Sequence, residues 1–312
     1  MKTRSMVSFD WAMKRLLRNK ANFEVLEGFL SELVRRKIII KSIGESESNK
    51  TDKKNKLNRV DILVESDDEE LVLIELQFYN QDDYFQRMLY GVSKSVSEHL
   101  DKGNAYLKVR KIYSVNIVYF DLGEGDDYIY HGSTIFIGLH TNNELMLNEK
   151  QRQLYNTSKI GEIYPEYFII KVSKFNDVAK DTLDEWIYYF KNNKIQDEFT
   201  AQGIDKARKI LSYENLTPEE KIEHDALLEE HRNRESEILT SYTDGEFKGR
   251  AEGEAIGLEK GEAIGLEKGK SLGEYNKAVT TALKMSEDGI TKDIISKYTG
   301  LSIKQIDEIL KI

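Results

Sequence analysis

The sequence contains no cysteine, which excludes disulfide bonds, thiolate zinc sites and a cysteine nucleophile. Its five scattered histidines are too few and too dispersed to favour a metal cage of imidazoles. No apolar run approaches the roughly 20 residues that a transmembrane helix needs, and the N-terminus lacks the apolar core of a signal peptide. We therefore expect a cytoplasmic protein without a membrane partner, in which oxygen atoms would ligate any bound metal.

The composition is typical of a soluble globular protein, with 39% hydrophobic residues and a mean hydropathy of −0.56. The net charge of −9 argues against nonspecific affinity for nucleic acid over the whole surface. However, residues 1–60 hold 15 Lys and Arg against 7 Asp and Glu, a local charge of +8. This basic segment is the distribution expected of a DNA-backbone contact, and equally of a solvated helix face and loop.

Acidic residues lie within two β-rich segments, 60–65 and 71–77, which an acidic turn separates. The pattern predicts a hairpin. If the turn centres near residue 68, residues 61 and 75, 63 and 73, and 65 and 71 lie opposite each other. Asp61, Glu75 and Gln77 then share one face of the hairpin.

Two opposed carboxylates on neighbouring strands suit a metal site, because their Cβ atoms lie about 5 Å apart and both can reach one hard cation. Mg²⁺ or Mn²⁺ would neutralise Asp61 and Glu75, polarise a phosphoryl oxygen and supply a bound hydroxide. The alternative is an edge hairpin with solvated acids, and the two strands alone do not decide between these interpretations.

Two helices are predicted before the hairpin. The first covers residues 10–18, with Asp10 as its N-terminal cap and Lys14, Arg15 and Arg18 as its basic residues. The second covers about residues 22–37 and carries Glu27 within its apolar stripe. A carboxylate that faces inward is either structurally paired or a third metal ligand.

The elements after the hairpin indicate an α/β or α+β core. An amphipathic helix is predicted over residues 83–101, with Gln86 and Tyr90 four residues apart on one side. We assign its apolar side to positions 85, 88, 89, 92, 96 and 100. Predicted strands are a short one at 38–40, a central one at 111–121, and two more at 128–139 and 167–172.

The order of these motifs resembles that of the PD-(D/E)XK nuclease superfamily: an Asp, then Glu-x-Gln at the end of the next strand, then a helix with Gln-x-x-x-Tyr and a strong strand. More narrowly, the chain is similar over roughly residues 6–275 to the Rpn family of recombination-promoting nucleases, also described as transposases. The resemblance implies a restriction-endonuclease-like core, a mixed sheet flanked by helices, followed by a helical C-terminal region.

The resemblance also implies roles for individual residues. Asp61 and Glu75 would hold Mg²⁺ or Mn²⁺, with Glu27 as the acid contributed by the first core helix. Gln86 and Tyr90 would assist the site.

Gln77 departs from the superfamily pattern, which has lysine at this position. An amide orients water by hydrogen bonds, but it is neutral and cannot stabilise a pentavalent phosphate as an ammonium does. Lys56 or Arg59 could supply the missing charge, and Arg59 is also a candidate DNA contact together with Lys14, Arg15 and Arg18.

Beyond the core, short helices are predicted at 183–193 and 203–213, and a Thr217–Glu220 capping box opens a charged helix to about Thr240. Eight glycines then recur every fourth residue from Gly245 to Gly273. This tract is either a helix that a close partner helix stabilises, giving a homo-oligomer, or a flexible tether. The last helices, including a Ser302/Gln305 capping box, resemble a helix-turn-helix that either reads DNA or serves as a packing module.

The sequence therefore predicts four segments: a nuclease-like domain at 1–195, a helical extension at 196–243, the glycine tract at 244–274 and a small helical tail at 275–312. We expect a metal-dependent DNA endonuclease that hydrolyses phosphodiester bonds and is linked to recombination or a mobile element. The alternative is a catalytically weak or inactive nuclease-fold protein that binds DNA or regulates an assembly.

Overall fold

The computed structural model describes residues 6–44, 62–100 and 106–311. Its helices are α1 Phe9–Arg15, α2 Phe23–Val34, α3 Tyr84–Glu98, α4 Glu149–Tyr155, α5 Thr182–Asn192, α6 Ile204–Ile210, α7 Pro218–Glu287, α8 Lys292–Thr299 and α9 Ile303–Ile309. Its strands are β1 Ile40–Gly44, β2 Ile62–Ser66, β3 Leu71–Gln77, β4 Ile112–Val118, β5 Ile129–Gly132 and β6 Glu166–Lys171. The predicted strand at 38–40 instead begins at its last residue, and the one at 128–139 is much shorter.

The six strands form one mixed sheet in the order β1-β2-β3-β4-β6-β5. The pairs β3–β4 and β4–β6 are parallel, whereas β1–β2, β2–β3 and β5–β6 are antiparallel. The predicted mixed sheet flanked by helices is confirmed, and β3 and β4 lie at its centre.

The register of the β2–β3 hairpin agrees with the sequence-based prediction. Leu63 lies opposite Leu73 and Glu65 opposite Leu71, as a turn centred near residue 68 requires. Asp61 lies outside the described residues, so its pairing with Glu75 stays a prediction.

Alternate residues of the central strands face two different layers. Val72 and Ile74 belong to the main core, which also contains the apolar side chains of α1, α2, α5 and α6. Leu71 and Leu73 pack instead with Val92 of α3. We call this second side of the sheet the α3 face, and by the same alternation Glu75 and Gln77 lie on it.

Helix α1 begins differently from the prediction. Ser8 is its N-cap, because its hydroxyl accepts a hydrogen bond from the Trp11 backbone N–H. Asp10 is already inside the first turn, where it is 2% exposed and forms an ion pair with Lys14 at 2.7 Å. The predicted Asp10 cap is therefore wrong by two residues.

The buried stripe of α3 also differs from the prediction. Tyr84, Met88 and Val92 are buried against the sheet, whereas Phe85 and Leu89 are 52% and 59% exposed. Because this helix has apolar residues on both its buried and its exposed side, the periodicity of the sequence predicted a wider buried surface than the structure has.

Helix α7 runs continuously from Pro218 to Glu287 and includes the whole glycine tract. The predicted capping box is confirmed: the Glu220 N–H donates to the Thr217 hydroxyl at 3.2 Å, and the Thr217 N–H donates to the Glu220 carboxylate at 2.8 Å. The predicted end near Thr240 is wrong, and within this structure the tract is helix rather than a flexible tether. A Cβ atom added to any of the eight glycines would meet nothing within 4 Å.

The chain divides into two compact units, Met1–Leu228 and Glu229–Ile312. In the second unit, Ala282, Ile295, Leu301 and Ile306 form a small core. The predicted Ser302/Gln305 capping box opens α9. Each helix in the part of the chain that the structure describes is too short or too polar to cross a membrane.

Candidate active site

The candidate site lies where β3 and β4 end. Glu75, two residues before the end of β3, is 7% exposed and stands opposite Asn116 of β4. It is buried because β3 lies between two strands and α3 covers this face. A buried carboxylate needs a compensating charge, so the groups around it are informative.

A cation from α3 meets this carboxylate. Arg87 forms an ion pair with Glu75 through Nη2, and its Nη1 donates to the side-chain oxygen of Gln81 at 2.9 Å. The Arg87 and Glu75 side chains are only 16% and 9% exposed. Sequence reasoning missed Arg87, although it lies three residues after Tyr84 and beside Met88, on the helix side that faces the sheet.

Asn116 is the centre of a buried polar network next to Glu75. Its Oδ1 accepts from the Tyr84 hydroxyl at 3.3 Å, and its Nδ2 donates to the Ser114 hydroxyl at 2.9 Å and to the Phe168 carbonyl at 3.2 Å. This network joins α3 to β4 and β6, so it fixes the helix that carries Arg87. It was also not predicted.

Gln77 is half-buried at the end of β3. Its side-chain nitrogen donates to the Tyr79 carbonyl at 3.2 Å. The amide oxygen is the atom that can accept a hydrogen bond from a water molecule. The expected role of Gln77 in orienting water stays a prediction.

Gln86 and Tyr90 are not brought to Glu75. Both are exposed on α3, Tyr90 by 49%. Since each helical residue turns by about 100°, Arg87 occupies the side towards the sheet while its neighbour Gln86 does not.

Glu27 also lies away from Glu75. Its carboxylate accepts a hydrogen bond from the Ile40 backbone N–H at 2.8 Å, at the start of β1. Ile40 pairs with Ser66, the last residue of β2, whereas the Glu75 end of β3 adjoins the first residues of β2. The separation along the strands alone is therefore more than ~10 Å.

The predicted DNA-contacting residues Lys14 and Arg15 of α1, and Arg18 just after it, belong to the layer opposite the α3 face; the predicted helix over 10–18 ends at Arg15. Lys14 pairs with Asp10, Arg15 pairs with Glu223 at 3.1 Å, and Arg18 is half-buried. Lys56, Arg59 and Asp61 fall outside the described residues.

A second cation lies at the same end of the sheet. Lys171 ends β6, is 1% exposed and is in register with Val118, which in turn is in register with Gln77. Two strand spacings separate Lys171 from Gln77, about 10 Å. Its ammonium contacts Asp121 at 2.7 Å and the Gly123 carbonyl at 3.1 Å. Hydrogen bonds from Lys171 and Lys174 lower the pKa of Asp121.

The donor atoms of this region suit a hard divalent cation better than a soft one, because they are carboxylate and amide oxygens. Within the described residues, no three His, Cys, Asp or Glu side chains cluster closely enough to hold a metal ion. Glu75 fits the role of one ligand, since its carboxylate is a hard oxygen donor that already has a cation, Arg87, as its partner. A second carboxylate would have to come from Asp61.

A cleft of about 1260 Å³ opens at the opposite, amino ends of the parallel strands. Two ion pairs are among the side chains that line this cleft. Arg36 contacts Glu70 and the Tyr113 hydroxyl, and Lys111 contacts Glu166. Burial would lower the pKa of Arg36, but the contacts with Glu70 and Tyr113 raise it overall. These pairs stabilise the sheet end and are separate from the Glu75 region.

A sequence model of one protein family matches residues 7–241, from α1 through the whole sheet and into α7. Its description is PD-(D/E)XK nuclease family transposase. The chain belongs to this family. No curated protein and no solved structure matches it. Membership confirms the superfamily resemblance and the restriction-endonuclease-like fold, and it indicates a nuclease-like function linked to mobile elements.

Proposed function

We propose that the chain is a divalent-metal-dependent DNA endonuclease that hydrolyses phosphodiester bonds in recombination or in the movement of a genetic element. One observation carries the proposal: Glu75 is buried on the α3 face at the end of a hairpin whose register matches the predicted one. Continuation of that register is what would bring a second carboxylate, Asp61, to Glu75.

In this proposal Asp61 and Glu75 bind Mg²⁺ or Mn²⁺, and Gln77 orients the attacking water through its amide oxygen. The bound ion would polarise a phosphoryl oxygen and lower the pKa of a water molecule. Glu27 has a backbone partner at Ile40, so we assign it a structural role instead of metal ligation.

DNA is the proposed partner. Gln86 and Tyr90 are exposed on α3, which suits contact with a nucleic acid better than ligation of a metal beside Glu75. Arg59 lies two residues before Asp61 in the sequence and is proposed to contact the DNA backbone. Lys14, Arg15 and Arg18 would do so at a site remote from Glu75.

Gln77 and the closed Arg87–Glu75 ion pair favour a second candidate, a nuclease-fold protein that binds DNA without cutting it. Such a protein lacks the ammonium of the superfamily motif. Its Glu75 carboxylate is already neutralised by Arg87 of the same chain.

A plasmid-cleavage assay separates the two candidates. We expect the chain of residues 1–312 to nick or linearise supercoiled DNA with Mg²⁺ or Mn²⁺ and not with EDTA, and Asp61→Ala to abolish this activity. Wild-type protein that shifts DNA in a gel but does not cut it with Mg²⁺, Mn²⁺ or Ca²⁺ would refute the endonuclease and support the binding module.

We also propose that residues 245–273 bring copies of the chain together. Every residue of this stretch is exposed, including Phe247, Leu258 and Leu266, each more than 60% exposed. Eight glycines forfeit about 1 kcal/mol each relative to alanine in a helix, and close approach of a partner helix would offset that cost.

A further inference from the structure

Arg87 is a cation in contact with Glu75, the carboxylate proposed to hold the metal. The ion pair is largely shielded from water, since the Arg87 and Glu75 side chains are 16% and 9% exposed. Charges in such an environment interact more strongly than an exposed surface pair does. The contact therefore neutralises Glu75 more effectively than an exposed ion pair would.

The helix that carries Arg87 is held firmly on the sheet. Tyr84 donates to Asn116, and Met88 packs against Val118. Arg87 lies between these two anchors, so its side chain extends from a fixed point over the end of β3. A guanidinium has five N–H donors in a planar fork that matches the oxygens of a phosphate.

The Glu75-x-Gln77 motif needs a cation from elsewhere in the chain, because it lacks the lysine of the superfamily pattern. Gln77 is neutral, so charge that develops on the phosphate requires another source. Among the described residues, Lys171 is another candidate at this end of the sheet, but its ammonium is bound to Asp121 and to the Gly123 carbonyl, two strands away. Arg87 touches Glu75 itself.

We infer that Arg87 neutralises Glu75 until a divalent ion binds, and that it then turns to the scissile phosphate and supplies the charge that Gln77 lacks. This inference rests on the proposed endonuclease function. A guanidinium and a divalent ion that contact one carboxylate repel each other, so each weakens the binding of the other. Arg87 should therefore weaken metal binding while it accelerates cleavage.

Calorimetric titration of the full chain with Mn²⁺ in the absence of DNA tests the first half. We expect Arg87→Gln to bind Mn²⁺ on the order of tenfold more tightly than wild type, as expected for two competing cations. The matched control is Arg36→Gln, which removes another arginine–glutamate pair, with Glu70, at the far end of the sheet. This control should bind Mn²⁺ as wild type does. Equal or weaker binding by Arg87→Gln would overturn the inference.

Single-turnover plasmid cleavage at saturating Mn²⁺ tests the second half. We expect Arg87→Gln to cleave about 100-fold more slowly despite its tighter metal binding, with partial recovery in Arg87→Lys and no loss in Arg36→Gln. Cleavage at the wild-type rate by Arg87→Gln would contradict the assignment of this charge to Arg87. A loss of about 100-fold in Lys171→Gln without a loss in Arg87→Gln would also contradict it. Melting curves of every variant show whether the fold is retained.

The two arms also separate this inference from the proposed function. Wild-type protein that never cuts DNA refutes the endonuclease, whereas the Mn²⁺ titration still decides whether Arg87 competes with a metal at Glu75. Wild-type protein that cuts while Arg87→Gln binds Mn²⁺ no more tightly refutes the inference alone.

Discussion

At the scale of the residue, the candidate site joins a buried carboxylate to an arginine from a neighbouring helix. Glu75 and Gln77 could be found from their spacing in β3. Arg87 could not, because the partner of a long side chain depends on how a helix packs on a sheet. The available signal was its position three residues after Tyr84 and beside Met88, which places all three on one helix side.

Glu166 offers a residue-scale prediction at the far end of the sheet. It accepts from Lys111 at 2.7 Å and contacts His131 Nε2 at 2.7 Å. Burial alone would raise the pKa of Glu166, but these two partners outweigh it, so the pKa is lowered on folding. Its contribution to stability is therefore present above the unfolded pKa of about 4.3 and is lost as the pH falls through the lower folded value.

We accordingly expect Glu166→Gln to lower the free energy of unfolding by about 1 to 2 kcal/mol at pH 7. The difference from wild type should shrink as the pH is lowered below about 4. Thermal melts of both proteins from pH 7 to pH 3 measure this. A difference that stays constant over the whole range would contradict the ionic origin of the effect.

At the scale of the element, the sequence predicted the order of the six strands, the helices other than α4, and the hairpin register. The alternation of apolar and polar residues and the choice of turn residues are local properties. The pairs Leu63–Leu73 and Glu65–Leu71 could therefore be predicted from the sequence. The start of α1 was missed because Ser8 and Asp10 are both good caps and packing decides between them. The exposed side of α3 was missed because Phe85 and Leu89 are as apolar as the buried residues.

Glycine substitutions in two helices should have opposite effects. A Cβ at Gly28 of α2 would meet the Gln202 carbonyl oxygen at 2.0 Å, whereas one at Gly257 of α7 would meet nothing. We expect Gly28→Ala to destabilise the protein by about 1 to 3 kcal/mol, because the backbones must separate. Gly257→Ala should stabilise its helix by up to about 1 kcal/mol.

Thermal melting measures the first substitution and amide hydrogen exchange in residues 245–273 the second. A higher melting temperature for Gly28→Ala would contradict the close approach of α2 to the start of α6. Faster exchange around residue 257 in Gly257→Ala would contradict an open helical surface there.

At the scale of the whole molecule, the glycine tract links the chain to other copies in our proposal. Replacing Gly257 and Gly261 by leucine should raise helix propensity and still abolish self-association, because the larger side chains keep two backbones apart. Sedimentation equilibrium and circular dichroism on the full chain test this together. Loss of helix in the double variant, or an unchanged oligomer, would contradict the proposed contact.

Family membership is also a property on this scale, since the family model matches residues 7–241, which include the sheet and the helices around it. Family-specific motifs could be read from the sequence, whereas the burial of Glu75 required the packing of α3 on β3 and β4. The nuclease-like fold therefore rests on many elements and the proposed chemistry on a few side chains.

The most direct test of the central claim is the Mg²⁺-dependent cleavage rate of supercoiled plasmid by Glu75→Gln beside Glu65→Gln. Both variants remove one carboxylate charge from the same hairpin, but Glu65 pairs with Lys41 at 2.9 Å at the opposite end. The account predicts that Glu75→Gln loses cleavage by at least about 100-fold while Glu65→Gln cuts as wild type does. Wild-type cleavage by Glu75→Gln would contradict it.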